Sequence, residues 1–255
     1  MKIAIAIRTC APVYNYWTSE HNRIVNVDKP TILIACFNSL LKAIKASGID
    51  VIFSVHDDSS SDEIITKMGE LCSKYGISGD LINSGKFGNF ITQYEWIKQQ
   101  DCDYIYCVED DYLHTENSIK DMVDMITYLK EFKEGEYAIF PFNCAHRYSQ
   151  FESLYTSYIV KGPNQYWRSC LHSTHTFFVS KKTFDKYDEI MKQQAYTWAI
   201  NGALEDTTIN KIWRDPGVIL FTPMQSLAYH LADSSQEDTL YDWKKLWDEN
   251  LNETR

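Results

Sequence analysis

Three consecutive carboxylates, Glu109-Asp110-Asp111, follow directly on the apolar run Tyr104–Val108. Acids packed this closely repel one another, so a cation must offset them. A divalent metal held by one or two of the carboxylates, its shell completed by phosphate oxygens and water, meets that need. The competing reading is a solvated acidic turn, and the position behind a buried strand weighs against it. A second acidic run, His56-Asp57-Asp58-Ser59-Ser60-Ser61-Asp62, follows the apolar segment Val51–Val55. Asp57 or Asp58 is suited to accept from a nucleobase N–H or a ribose hydroxyl, while Ser61 or Asp62 is suited to cap the helix that comes next. Capping leaves the two carboxylates ahead of it unexplained.

The elements that must position these acids alternate in type. Lys2–Ile7 reads as a strand, and Arg8 to Val27 as irregular and aromatic. Asp28 caps a helix with Pro30 in its first turn, Ile34, Leu40, Leu41 and Ile44 on its buried face, and Gly48 at its end. Val51–Val55 is a strand, Asp62–Tyr75 an amphipathic helix stopped by Gly76, and Asp80–Ile82 a short strand. Phe90–Gln99 and Asn117–Phe132 read as helices, Tyr104–Val108 and Tyr137–Phe140 as strands. Repeated β-α-β units predict an α/β fold with a mostly parallel sheet flanked by helices. Ligands in such sheets bind beyond the carboxyl ends of the strands, where both acidic runs then lie. The second half is less regular. Asn143–Ser169 reads as a long surface excursion, His175–Val179 and Val218–Thr222 as strands, and Lys181 to about Gln193 and Leu204–Trp213 as helices. Leu240, Trp243, Leu246, Trp247 and Leu251 fall at helical spacing near the end. With no repeat and no linker composition, residues 1–255 read as one unit.

Composition narrows the function classes. The 255 residues carry 25 Lys+Arg against 35 Asp+Glu, a formal net charge of −10. A chain this acidic is poorly suited to nonspecific nucleic-acid binding, which depends on cationic neutralisation of phosphates. A phosphate ligand held through a metal stays compatible with it. The 44% hydrophobic content is that of a globular protein, and no apolar run approaches a membrane span. None of the 7 Cys pairs in CxxC spacing, which argues against a zinc or redox motif. Ile3–Ile7 is too short for a signal-peptide core, so the expectation is a cytoplasmic protein.

In order and spacing these motifs resemble those of glycosyltransferases of the GT-A fold, of the family-2 type. Asp57-Asp58-Ser59-Ser60-Ser61-Asp62 is similar to that family's DDGSTD-like nucleotide motif, with Ser59 where Gly is usual. Glu109-Asp110-Asp111 is similar to its metal-holding DXD motif, and Asn83-Ser84-Gly85 through Asn89 to its Asn/Gly-rich segment. The likeness is best over roughly the first 115 residues, with 116–255 as the acceptor half. It implies a Rossmann-like nucleotide-sugar half in which Asp57 contacts the base and Asp111 ligates Mn2+ or Mg2+. Glu109 and Asp110 would contact ribose or a metal-bound water. Arg8 stands where the family places nucleotide contacts. Its guanidinium can pair with phosphate or with an acid of the same cleft, and Lys86 carries the same two readings. Glu205-Asp206 is similar to the family's Glu-Asp pair, one of which is the general base of inverting members; by motif position Asp206 is favoured over Glu205. A helix-start acid pair favoured by the helix dipole is the plainer reading. His230 corresponds to a late histidine that several GT-A enzymes use as a second metal ligand, although a lone histidine is more often structural. His172 and His175 flank the acceptor-side strand, and Trp167, Trp198 and Tyr166 are candidates to stack on an acceptor sugar.

The resemblance thus implies a metal-dependent, inverting transfer from a nucleotide-diphosphate sugar, UDP-sugar by default, to a hydroxyl acceptor such as a carbohydrate. A sugar-phosphate nucleotidyltransferase is the second expectation, weakened by the absence of glycine in Ile7-Arg8-Thr9-Cys10-Ala11-Pro12. A silent nucleotide- or sugar-binding module is the third.

Overall fold

The structure, a computed structural model, describes residues 1–12, 24–86, 88–144, 146–149, 154–201, 205–231 and 242–254. Of residues 146, 149 and 198–201 it describes the backbone alone. The first half alternates as its sequence requires: β1 (Lys2–Thr9), α1 (Lys29–Ser47), β2 (Asp50–Asp57), α2 (Asp62–Tyr75), β3 (Asp80–Asn83), α3 (Asn89–Lys98) and β4 (Tyr104–Glu109). The helix ends follow from local chemistry. The Asp28 carboxylate accepts from Thr31 N at 2.8 Å and Pro30 sits in the first turn. Gly48 and Gly76 end α1 and α2 in the left-handed conformation, at φ +63° and +67°.

The second half contains β5 (Tyr112–His114), α4 (Ser118–Phe132), β6 (Glu136–Ile139), α5 (His146–Ser149), β7 (Ile159–Lys161), β8 (Tyr166–Cys170), β9 (Phe177–Ser180), α6 (Lys181–Lys186) and α7 (Asp188–Asn201). A 3₁₀ turn (Glu205–Thr207), α8 (Asn210–Trp213), β10 (Val218–Pro223), β11 (Ala228–His230) and α9 (Trp243–Glu253) complete it. Three expectations change here. The Asn143–Ser169 excursion carries α5, β7 and β8, and its strands extend the sheet edge. The Lys181 helix is interrupted at Tyr187, and Asp188 starts a new helix by accepting from Tyr94 Oη at 2.8 Å and pairing with Lys98 at 2.9 Å. The Leu204–Trp213 helix is instead the 3₁₀ turn followed by short α8. Leu204 lies outside the described residues, as does Leu240 ahead of α9.

Nine strands form one sheet in the order β3-β2-β1-β4-β9-β6-β10-β8-β7. The sheet is mixed rather than mostly parallel. β3, β2, β1 and β4 are mutually parallel, as are β6 and β10, while β9, β8 and β7 pair antiparallel with their neighbours. The parallel block β3-β2-β1-β4 is joined through the helices α1, α2 and α3, and of the antiparallel pairs only β7–β8 is joined without an intervening helix. β1 is buried on both faces. Ile3, Ile5 and Ile7 join the core under α1 and α2, and Ala4 and Ala6 join the core on the α3 side. The register sets Arg8 between His56 and Glu109, and Thr9 beside Asp57, so three strand ends meet at one edge. β5 and β11 form a separate two-stranded sheet in which His230 faces Tyr112.

The turn after β2 is held by its own acid. Asp57 accepts from Thr9 Oγ1 at 2.7 Å with one oxygen and from Ser60 N at 2.8 Å with the other. Ser59 then adopts φ +61°, the left-handed conformation for which glycine pays no Cβ penalty. Ser61 occupies the N-cap position of α2 without a side-chain cap bond. Among the described residues no helix is long and apolar enough to cross a membrane.

The left-handed turn at Ser59 and the buried histidines of β2 and β5 can each be tested. Ser59→Gly is expected to leave stability unchanged or raise it by up to about 1 kcal/mol, and Ser59→Val to lower it by about 1–2 kcal/mol; urea unfolding measures both. His56 and His114 are each pushed down to about 3 by burial. His56 lies between the hydroxyls of Ser54 and Thr92, and His114 meets Tyr106 Oη at 2.7 Å. Their folded pKa lies below the unfolded value of about 6.5. The unfolded chain therefore binds more protons between the two, and the stability is complete above about pH 6.5 and lost as pH falls towards 3. Each histidine is expected to contribute a slope of up to about 1.4 kcal/mol per pH unit in that window, and His114→Gln to flatten the measured profile by that much.

Candidate functional site

The carboxyl ends of β1, β2 and β4 bring Arg8, Asp57, Asp58 and Glu109-Asp110-Asp111 to one edge, as the alternating pattern requires. The Ser84–Gly88 segment joins them because Ser84 N donates to the Asp57 carbonyl at 2.8 Å. A Cβ on Gly88 would collide with the Ser84 carbonyl, which accounts for glycine at the entrance to α3. Asn89 opens that helix, and its buried Oδ1 receives no hydrogen bond among the described residues. Lys86 is exposed on the same turn. Asp58 is buried, with its N–H on the Thr9 carbonyl at 2.8 Å and its carboxylate accepting from Ser59 Oγ at 3.2 Å.

The three acids after β4 take three different partners. Glu109 accepts from Thr174 Oγ1 at 2.8 Å and Thr176 Oγ1 at 3.2 Å, and its other oxygen lies 3.6 Å from Arg8 Nη2. Arg8 is only 6% exposed, and its guanidinium carbon sits 3.3 Å from the Phe90 ring centroid. Burial lowers the guanidinium's pKa while Glu109 pulls it back, and its Nε and Nη2 receive no hydrogen-bond partner among the described residues. Asp110 accepts from Cys10 N at 2.8 Å with one oxygen and pairs with Lys29 Nζ through the other. Burial alone would lower the Lys29 ammonium, yet Asp110 and Asp111 together carry it above its ordinary value. Asp111 faces His230, with Nε2 3.5 Å from Oδ1. Burial opposes its charge, but His230 and Lys29 hold the carboxyl well below the usual range. The His230 ring stacks on Tyr112 at 4.7 Å and 15°, a placement fixed by the β5–β11 pairing.

Asp111 and His230 are therefore the two donors that could meet a metal. Cis ligands about 2.1 Å from an octahedral ion lie about 3 Å apart, close to the observed 3.5 Å. The buried Asp111 Oδ1 has His230 Nε2 at 3.5 Å as its facing group and no shorter hydrogen bond among the described residues. No group of three or more metal-binding side chains occurs among the described residues. The pair thus fits a hard divalent ion whose other positions are filled by phosphate and water, and does not fit a closed protein cage.

Glu205 and Asp206, neighbours on the 3₁₀ turn, face opposite ways. The Asp206 side chain is 73% exposed and pairs with Arg214 at 2.7 Å, Asn210 at 3.1 Å and His172 at 3.7 Å. Glu205 is 31% exposed and lies 3.3 Å from Nε2 of buried His175. The His175 ring stands edge-on to Phe90 at 4.7 Å, and Phe90 in turn lies under Arg8. Burial raises the Glu205 carboxyl, but His175 and Arg8 bring it below its ordinary value. A chain of contacts thus joins Glu205, not Asp206, to the strand edge. Trp167 is a core residue at 1% exposure, while Tyr166 is exposed and the Trp198 side chain lies outside the described residues.

Three contributors escape a reading of the sequence. Thr174 and Thr176 orient Glu109 and carry no motif. Lys29 left one signal: it is a cation in the first turn of α1, where no acid accompanies it. The positive end of the helix dipole disfavours a lysine there, and the Asp110 carboxylate is what offsets it.

No family model matches this chain, and no curated protein does. Solved structures do. TarS of S. aureus superposes with a TM-score of 0.52 at 14% identity, over 96% of this chain and 38% of that one. A UTP-bound UGPase from Acinetobacter baumannii superposes with a TM-score of 0.50 at 12% identity, over 99% of this chain and 93% of that one. This chain therefore spans well under half the length of TarS. At these identities the likeness establishes the fold: a mixed sheet flanked by helices of the GT-A, Rossmann-like type.

Proposed function

We propose that this protein transfers a sugar from a nucleotide-diphosphate donor, UDP-sugar foremost, to a hydroxyl acceptor, with divalent metal and with inversion. The observation that carries the reading is the meeting at one sheet edge of Arg8, Asp57, Asp58 and the three acids, with the Asp111–His230 pair on one side and Glu205 on the other. The likeness to TarS and to a UTP-bound UGPase supports the fold on which it rests.

In this reading Asp111 and His230 hold Mn2+ or Mg2+, which when bound would neutralise charge on the diphosphate leaving group. Arg8, paired with Glu109 through Nη2, offers its Nε–H to the phosphates or the donor sugar, and the Asp57–Asp58 turn shapes the nucleoside side. Lys86 and Asn89 line the approach from the α3 turn. Glu205, ionised and close to the field of Arg8, takes the proton from the acceptor hydroxyl. The acceptor oxygen forms its bond to the anomeric carbon from the face opposite the leaving group. The bond to the diphosphate oxygen breaks, and the nucleoside diphosphate departs with the electron pair. Glu205 displaces Asp206 as base because Asp206 is turned to solvent and committed to Arg214.

A nucleotidyltransferase is the second reading, favoured by one observation: this chain covers 93% of the UGPase but 38% of TarS. It would release pyrophosphate from UTP and a sugar 1-phosphate, a product that the transferase would not form.

Thermal unfolding against UDP, GDP, dTDP and CDP, with and without Mn2+, tests the donor site. UDP with Mn2+ at about 100 times its dissociation constant is expected to add about 2.7 kcal/mol, several degrees at about 2–4 °C per kcal/mol. Asp111→Ala is expected to abolish that shift; no shift with any nucleotide in the unaltered chain would contradict the reading. Glu205→Gln is expected to keep the shift and lose about 10²–10⁴-fold in turnover, with Asp206→Asn within a few-fold of the unaltered protein. Because the Glu205 pKa is lowered, its base form persists as pH falls, and the acid limb of kcat/KM is expected below the ordinary glutamate value of about 4.3.

A further inference from the structure

We propose that Lys29 makes metal binding depend on the diphosphate: its ammonium keeps a divalent cation weakly held at the Asp111–His230 pair until a nucleoside diphosphate brings its own negative charge. The inference rests on the reading of this edge as a metal–nucleotide site.

The argument is one of local charge. Glu109 is matched by Arg8. Of the two remaining acids, Asp110 already has both oxygens engaged, one by Cys10 N and one by Lys29 Nζ. Lys29 is 16% exposed and Asp110 9%, so water screens the pair poorly. Asp110, Asp111 and Lys29 together leave a single net negative charge at the Asp111–His230 pair itself for an ion carrying two positive ones. Asp57 and Asp58 are held by hydroxyl and N–H donors in the neighbouring β2 turn. Lys29 acts on Asp111 as well as on Asp110, and thus on the carboxylate that would ligate. Lys29 also opens α1, whose N-terminal dipole is partly offset by the Asp28 cap, so the ammonium itself is the main positive charge facing the acids there. Two protein donors and one net charge make a poor site for free Mn2+, which prefers several hard, anionic oxygens. A diphosphate supplies those oxygens and reverses the sign of the local field. By linkage the metal and the nucleotide then tighten each other's binding by the same factor.

Mn2+ binding to the full chain, followed by electron paramagnetic resonance with and without UDP, tests this directly. The unaltered protein is expected to bind Mn2+ about a hundredfold more tightly with UDP present. Lys29→Gln removes the charge and keeps a donor for Asp110; it is expected to bind Mn2+ alone about tenfold more tightly and so to lose much of the coupling. Asp110→Asn keeps Lys29 and the shape of the site, and is expected to move the other way, binding Mn2+ alone about tenfold more weakly. Should Lys29→Gln fail to fold, the Asp110→Asn direction still decides. Combining the two is expected to restore the behaviour of the unaltered protein. Mn2+ binding without UDP that is unchanged in both variants, or changed in the same direction, would overturn the proposal. Failure of the unaltered chain to bind Mn2+ even with UDP would overturn the functional reading, and this inference with it.

Discussion

Three adjacent carboxylates cannot be packed at a buried strand end unless each finds its own counterpart. That constraint organises this edge of the protein. Glu109 is held by Arg8 and two threonines, Asp110 by Lys29 and a backbone N–H, and Asp111 by His230. Each partner comes from a different part of the chain, so satisfying the acids also ties those parts together. Asp110 joins the residue after β1, at Cys10, to the first turn of α1, at Lys29. Asp111 ties the end of β4 to the late strand β11. Removing one partner of a buried pair leaves an uncompensated charge, at a cost of about 3–5 kcal/mol; the edge is thus bound to the rest of the fold by electrostatics as well as by packing.

The halves of the sheet divide the labour. The parallel strands β3, β2, β1 and β4 present their carboxyl ends together, with Ile3, Ile5 and Ile7 of β1 anchoring α1 and α2 behind them. The mixed half contributes the pieces that face that edge. The segment leading into β9 carries Thr174, His175 and Thr176, and the 3₁₀ turn carries Glu205. Phe90 lies between Arg8 and His175, with its ring face to the guanidinium and edge-on to the imidazole. A desolvated guanidinium over an aromatic face is worth about 2 kcal/mol, enough to help hold Arg8 in place with donors to spare.

The first half was legible in the sequence because its punctuation is local. Asp28, Pro30, Gly48 and Gly76 each act within one turn, so α1 and α2 end where their residues say. The strand-then-acid pattern placed both acidic runs at the correct edge for the same reason. What escaped depends on contacts distant in the chain. β5 and β11 have three residues each, too few to show a period, yet their pairing, with Leu231 N on the Asp111 carbonyl at 2.9 Å, brings His230 to Asp111. By motif position the likeness favours Asp206 over Glu205, and only the turn that carries them decides which faces inward. The mixed topology of the second half was hidden because β7, β8 and β9 have three to five residues each, too few to show how they pair. Ser59 shows the converse: a residue that departs from the expected glycine while the backbone keeps the conformation glycine would have had.

On the proposed function, Asp111 and His230 would hold a divalent ion that also meets a nucleoside diphosphate. Pulsed electron paramagnetic resonance of Mn2+ and UDP on the chain labelled with 15N-histidine tests it most directly. The expected result is 31P coupling from the diphosphate together with 15N coupling from a single imidazole, the latter lost in His230→Asn. Mn2+ that couples to phosphorus but to no histidine nitrogen, or whose nitrogen coupling survives in His230→Asn, would contradict the account.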